Sequence, residues 1–82
     1  MWNGAPLMLP AEDAGPGEIE DAPAIRLLRD RAGAVRPDLV TDAHTLLTMA
    51  RICRALDGMP LAIELAAARL RTMSIDQLAN RL

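Results

Sequence analysis

From Pro23 onwards, apolar residues recur at the spacing of amphipathic helices in four successive segments. In the first, Ala24, Ile25, Leu27, Leu28, Ala32 and Val35 share one face at 100° per residue, with Arg26, Arg29 and Asp30 opposite. Pro23 suits the first helical position, and Glu20 and Asp21 place negative charge just ahead of it. Pro37 ends this helix, because a residue before proline resists the helical region. The second segment follows "LVTD", with Thr41 as the expected N-cap. Its stripe is Leu46, Met49, Ala50, Ile52, Cys53 and Leu56, while His44, Thr48, Arg51 and Arg54 face away. Gly58 is expected to close it as a left-handed C′ residue.

The third segment opens at Pro60 and runs to about Thr72. Leu61, Ala62, Ile63, Leu65, Ala66 and Leu70 form its apolar arc, and Glu64, Ala67, Ala68 and Arg71 its narrower exposed side. A fourth helix begins after Ser74, where "SIDQ" is a capping box with Gln77 reaching back. Ile75, Leu78 and Leu82 are its inward stripe, and the chain stops with the pattern still running.

Residues 1–22 lack this periodicity. Pro6, Pro10 and Pro16, with Gly4, Gly15 and Gly17, interrupt any continuous helix. "PLMLP" has the character of a strand end with nothing to pair with, and "AEDAGPGEIED" has linker chemistry. The expected fold is all-α: a small bundle of about four short helices over 23–82, led by an irregular Pro/Gly-rich segment over 1–22.

Composition supports helices and narrows the chemistry. Phe and Tyr are absent and Trp2 is the only aromatic residue, so the core must be Leu, Ile, Ala and Met. At 82 residues the chain is at most one domain, burying roughly 60–65% of its unfolded surface. A lone Cys53 excludes an internal disulfide, and a lone His44 offers no metal cluster. All nine basic residues are Arg, so no P-loop lysine is available. A net charge of −2 argues against direct nucleic-acid contact. No apolar run approaches a membrane span, no signal peptide is recognisable, and one isolated thiol fits a reducing cytoplasm.

The stretch with most specific character is "DGMPLAIELAAARLR", residues 57–71. Gly58 frees the backbone to turn and Pro60 starts the next helix with φ already set, which accounts for a tight corner. The same corner presents a proline ring and a helix N-terminus, surfaces that suit a base and an anion. A DNA-reading helix–turn–helix does not fit, because "PLAIELAAARLR" offers mainly Ala and Leu to base edges.

"ICRALDGMPLAIELAAARLRTMSIDQLANRL", preceded by "PAIRLLRDRAGAVRPDLVTDAHT", resembles the helical part of the nucleotide-binding module in STAND-class, NB-ARC-like ATPases. These occur in large actinobacterial transcriptional regulators of the SARP and LuxR types. The resemblance covers about residues 23–82 and centres on the family's Gly-Leu-Pro-Leu motif, matched by Gly58-Met59-Pro60-Leu61 with Met59 for the usual Leu. It implies a helical lid over ATP or ADP, in which Pro60 touches adenine while Gly58 and Leu61 shape the turn. It also implies partnership with a nucleotide-binding core, in the same or a split protein. The family's phosphate-binding loop and magnesium-binding strand precede this region and are not in these 82 residues, so no unaided ATP hydrolysis, no catalytic residue and little or no ATP or ADP binding by this chain alone are expected. The alternative is a free-standing helical interaction module without nucleotide.

Arg31 and Arg69 fall inside apolar arcs. Each is expected to lay its stem on the core, or to pair with a carboxylate such as Asp57. The functional alternative is a reach towards nucleotide phosphate or a neighbouring domain. Cys53 reads as a buried small hydrophobe, His44 as solvated, and Glu64 and Arg71 as a solvated face.

Overall fold

The computed structural model describes residues 7–11 and 13–82; the expectations for residues 1–6 and Glu12 lie outside them. Among the described residues the chain is all-α. Its helices are α1 (Pro16–Asp21), α2 (Pro23–Val35), α3 (Ala43–Ala55), α4 (Pro60–Ala68) and α5 (Ile75–Arg81), with a 3₁₀ turn over Arg69–Arg71. The main packing pairs are α2 with α4 and α3 with α5, and α1 lies across α2 and α3.

Helix α1 corrects the expectation of an irregular segment before Pro23. Pro16 disrupts a helix only if it lies inside one; here it opens α1, where its missing N–H costs nothing. The six-residue helix then seats Ile19, 1% exposed, in the core. Ala22 is the single joint to α2, its N–H donating to Ile19 O and its carbonyl accepting from Arg26 N–H.

The N-caps differ in kind. Ala22 has no capping side chain, and the carbonyl of Met8 accepts from the Ala24 N–H at 3.3 Å in its place. Asp42, not Thr41, caps α3: its Oδ1 accepts from Thr45 N–H at 2.8 Å. That bond holds the Asp42 carboxyl below its usual range. The contribution is therefore present at neutral pH and fades as pH falls through the depressed folded value. The Ser74–Gln77 capping box forms in full, at 3.0 and 3.2 Å.

Helix α4 uses a different face from the expected one. Ile63, Ala66, Ala67 and Leu70 are buried, whereas Leu61 and Leu65 are 56% and 62% exposed. The chosen seam still runs i, i+3, i+4, i+7, and its alanines meet a facing α2 that itself offers Ala24 and Ala32. Small residues on both sides allow close backbone approach, and Leu61 and Leu65 are left outside. The same correction applies to Thr48, which is buried, and to Leu82, which is half exposed. The helix is also shorter than expected, tightening into the 3₁₀ turn after Ala68.

Arg36 fixes that turn. From the end of α2 its Nε donates to Leu70 O at 2.7 Å, and an Nη lies 3.4 Å from Met73 O. These carbonyls follow the end of α4, where backbone acceptors run short of partners. Replacing Arg36 by Met keeps the stem and removes the donors. We expect Arg36→Met to lower stability by about 1.5–3 kcal/mol, the range for hydrogen bonds to a charged group. A urea titration with an unchanged m value checks this, and a midpoint equal to the parent's would show that water replaces the guanidinium without loss.

Candidate functional site

The corner between α3 and α4 is built by the backbone. Gly58 N–H donates to Cys53 O at 3.0 Å and Asp57 N–H to Arg54 O at 3.1 Å, the paired bonds of a Schellman ending. The left-handed C′ position expected of Gly58 belongs to Asp57, with φ 54°, and Gly58 follows with φ 67°. Aspartate tolerates this region better than most side chains, which lets the turn begin one residue early.

Gly58 is needed for a second reason. Leu7 N–H donates to Gly58 O at 2.7 Å, and a Cβ on Gly58 would strike the Leu7 carbonyl oxygen. Residues 7–11, which include the described part of the segment expected as a strand end, are thus clamped over the corner, with no strand among the described residues. Arg54 holds it further along, its Nη2 lying 3.4 Å from Pro10 O and 3.1 Å from Ala11 O. Periodicity puts Arg54 on the face turned from the core, and it does not signal a bond across 43 residues.

Gly58 is therefore buried, Met59 and Pro60 are half buried, and Leu61 is exposed. Pro60 opens α4 beside a Met59 N-cap that has no capping side chain. Leu61 and Leu65 extend the apolar surface along α4. A groove of about 300 Å³ lies between α4 and α5, lined by Leu56, Ala62, Leu65, Leu78 and the stems of Arg69 and Arg81. Arg69 lies nine residues beyond Pro60, about 13 Å along the axis at helical rise. Arg31 is not with it: its Nε meets Glu64 Oε1 at 3.2 Å, tying α2 to the outer side of α4. The carboxylate it finds is Glu64, not Asp57. Pro60, Gly58 and Leu61 thus form one corner, Arg69 stands on the groove beyond it, and Arg31 is engaged elsewhere.

Cys53 and His44 each have a place in the packing of the helices. Cys53 is buried, and desolvation pushes its thiol up to about 12, far from a nucleophile's range. His44 Nε2 lies 3.1 Å from Asp76 Oδ1, and the Thr48 hydroxyl lies 3.3 Å from the same oxygen, linking α3 to α5. Among the described residues no three His, Cys, Asp or Glu side chains cluster as metal ligands, and no helix is long and apolar enough to cross a membrane.

Comparison with known proteins relates the chain to mycobacterial regulators. Over 59 residues it is 48% identical to a Mycobacterium tuberculosis (strain ATCC 25618 / H37Rv) protein named as a candidate HTH-type transcriptional regulator, covering 72% of this chain and 7% of that protein. Over 51 residues it is 59% identical to an uncharacterised protein of the same strain, covering 62% of this chain and 13% of that protein. An uncharacterised Mycobacterium bovis protein matches to the same extent. The chain thus spans a small part of the curated relatives it matches. No protein-family model and no solved structure matches.

Two outcomes follow from the corner's geometry. Gly58→Ala is expected to cost at least about 2 kcal/mol, combining a left-handed Cβ with displacement of Leu7. A loss below about 0.5 kcal/mol in urea unfolding would mean that Leu7 moves aside freely. Cys53 in the folded chain is expected to react with an aromatic disulfide reagent at least about 100-fold more slowly than in urea, since reaction must await opening. Equal rates would place the thiol at the surface.

Proposed function

We propose that this chain supplies the helical lid of an ATP- or ADP-binding regulatory switch, with Pro60 against the adenine and Gly58 and Leu61 shaping the contact. The observation that carries this reading is the corner itself. A backbone clamp fixes Pro60 at the head of α4, next to an exposed Leu61, in the segment that resembles the Gly-Leu-Pro-Leu motif. Similarity to part of a protein named as a transcriptional regulator agrees with a regulatory parent. Phosphate and magnesium contacts would come from a nucleotide-binding core in the same or a split protein, which makes the chain a lid without catalysis of its own. Arg69, on the groove beyond the corner, is the candidate for contact with phosphate or with that core. Arg31 is the weaker candidate, because Glu64 already holds it. The setting proposed is cytoplasmic, without direct nucleic-acid contact: the outward residues of α4 include Leu61, Glu64, Leu65 and Ala68, a poor match to base edges.

A second reading has its own observation. Leu65 and Leu82, both more than half exposed, line one apolar groove, and Leu61 is exposed on the same helix as Leu65, which suits a helical interaction module.

Adenosine separates the two, since it carries the base and no phosphate. Titrated at millimolar concentration into ¹⁵N-labelled chain, it is expected to shift amides over Leu56–Leu65 and to leave other helices unmoved. Pro60→Ala should reduce the fitted affinity by about 5–10-fold, or roughly 1–1.4 kcal/mol. Shifts that scatter over the surface, or that survive Pro60→Ala unchanged, would remove adenine from the corner and leave the interaction reading.

A further inference from the structure

Arg26, Arg29 and Arg36 stand at i, i+3 and i+10 on α2 and its C-cap, so they follow one another along a single face. All three line a cavity of about 310 Å³ whose far wall is the α2–α3 connection, including Thr41. Asp30 is the one carboxylate that lines it. Three guanidiniums against one carboxylate is a local positive field in a chain of net charge −2.

The donors are not used up by the protein. Arg36 bonds Leu70 O through Nε and lies at the longer 3.4 Å from Met73 O. Glu20 meets Arg29 at 3.3 Å, in a half-exposed pair. A guanidinium has five N–H donors, so both retain several. Arg26 is exposed and makes no ion pair or side-chain hydrogen bond among the described residues. Asp30 is drawn sideways to Arg31, 3.8 Å away.

Gly33 points the same way. It sits inside α2 between Arg29 and Arg36, where glycine costs about 1 kcal/mol relative to alanine. Packing does not require it, because a Cβ there would meet nothing within 4 Å. What its missing side chain leaves is an open middle to the arginine row, in the wall of the same cavity.

We propose that this cavity binds a phosphate group on a small molecule, held by Arg26, Arg29 and Arg36. A phosphate monoester presents three terminal oxygens and two charges to planar donor forks, a better match to three arginines than a carboxylate's two oxygens. The volume is at the low end for small-ligand sites, enough for the phosphate and a small attached group. The site lies against the middle of α3 and the link before it, away from the Gly58–Leu61 corner, and does not depend on the adenine reading.

The test uses the full 82-residue chain and the arginine Nε–Hε signals in ¹⁵N spectra, at constant ionic strength made up with chloride. Inorganic phosphate and glycerol 3-phosphate are titrated separately, which distinguishes the free ion from the ester. Saturable shifts at Arg26, Arg29 and Arg36 are expected with both, tighter for the ester if the attached group is accommodated. Gly33→Glu, which sets a carboxylate in the open middle, should weaken binding by at least about tenfold, and Arg26→Gln by about threefold or more. Gly33→Ala should retain binding and show that the helix tolerates a side chain there. Three results would overturn the site: shifts spread over all nine arginines, binding unchanged in Gly33→Glu, or response to duplex DNA but to neither phosphate.

Discussion

The fold turns on a backbone contact that only glycine permits. Between α3 and α4 the chain must reverse within a few residues and also accept a second strand of backbone from Leu7. Two left-handed residues achieve the reversal, and the carbonyl of Leu7 occupies the space where a Cβ of Gly58 would stand. Because Leu7 is held there, Met8 is placed to complete the first turn of α2, and Pro10 and Ala11 are placed to receive Arg54. One corner therefore sets the entry of α4, the capping of α2 and the course of the leading segment. Its direction also decides which residues of α4 meet the core.

That last consequence explains where the sequence was ambiguous. In α2, α3 and α5 the polar residues restrict the buried face, and the expected stripes are largely the observed ones. Helix α4 carries apolar side chains nearly all round, with only Glu64 to orient it. Two phases then satisfy the same periodicity, one led by Leu61 and Leu65, the other by Ile63, Ala66 and Ala67. Transfer energy favours the first, since a leucine left half exposed forgoes about 1 kcal/mol or more. Close approach of α2 to α4 selects the second, because alanines permit it and leucines do not. Periodicity weighs hydrophobicity and takes no account of distance between backbones, so it could not make that choice. Similarly, Pro16 and its flanking glycines indicate a break in the chain, yet a proline that ends one segment also starts the next, and Ile19 is the residue by which α1 enters the core.

The candidate corner was more legible than its surroundings. A glycine two residues before a proline, followed by an apolar run, indicates a short turn from local rules alone, and the capping box at Ser74 is equally local. What those rules cannot supply is pairing across the fold. Arg31 with Glu64, Arg36 with the carbonyls after α4, and His44 with Asp76 join residues more than thirty positions apart. None of these side chains differs in kind from a surface residue until the helices are placed. The arginine-lined cavity is the same case: periodicity puts Arg26, Arg29 and Asp30 on a polar face, and only the α2–α3 connection turns that face into a concavity.

Arginine usage ties these parts together. An acidic chain without lysine has nine guanidiniums to place, and each can serve backbone carbonyls and anions at once. Arg54 and Arg36 use that fork on carbonyls, the first to hold the leading segment and the second to hold the turn after α4. Arg31 uses it on a carboxylate between α2 and α4. These three stabilise the arrangement of helices, and a ligand that displaced the bonds they make would loosen it. Arg26 carries no such duty among the described residues, and Arg69 lies exposed on the rim of a groove. The donors available for recognition are thus the ones the fold does not use, including those that Arg36 keeps beside its bond to Leu70. They lie on two separate surfaces, one on the outer face of α2 and one beyond the Pro60 corner, so contact at either can change without disturbing the clamp that holds the corner in shape.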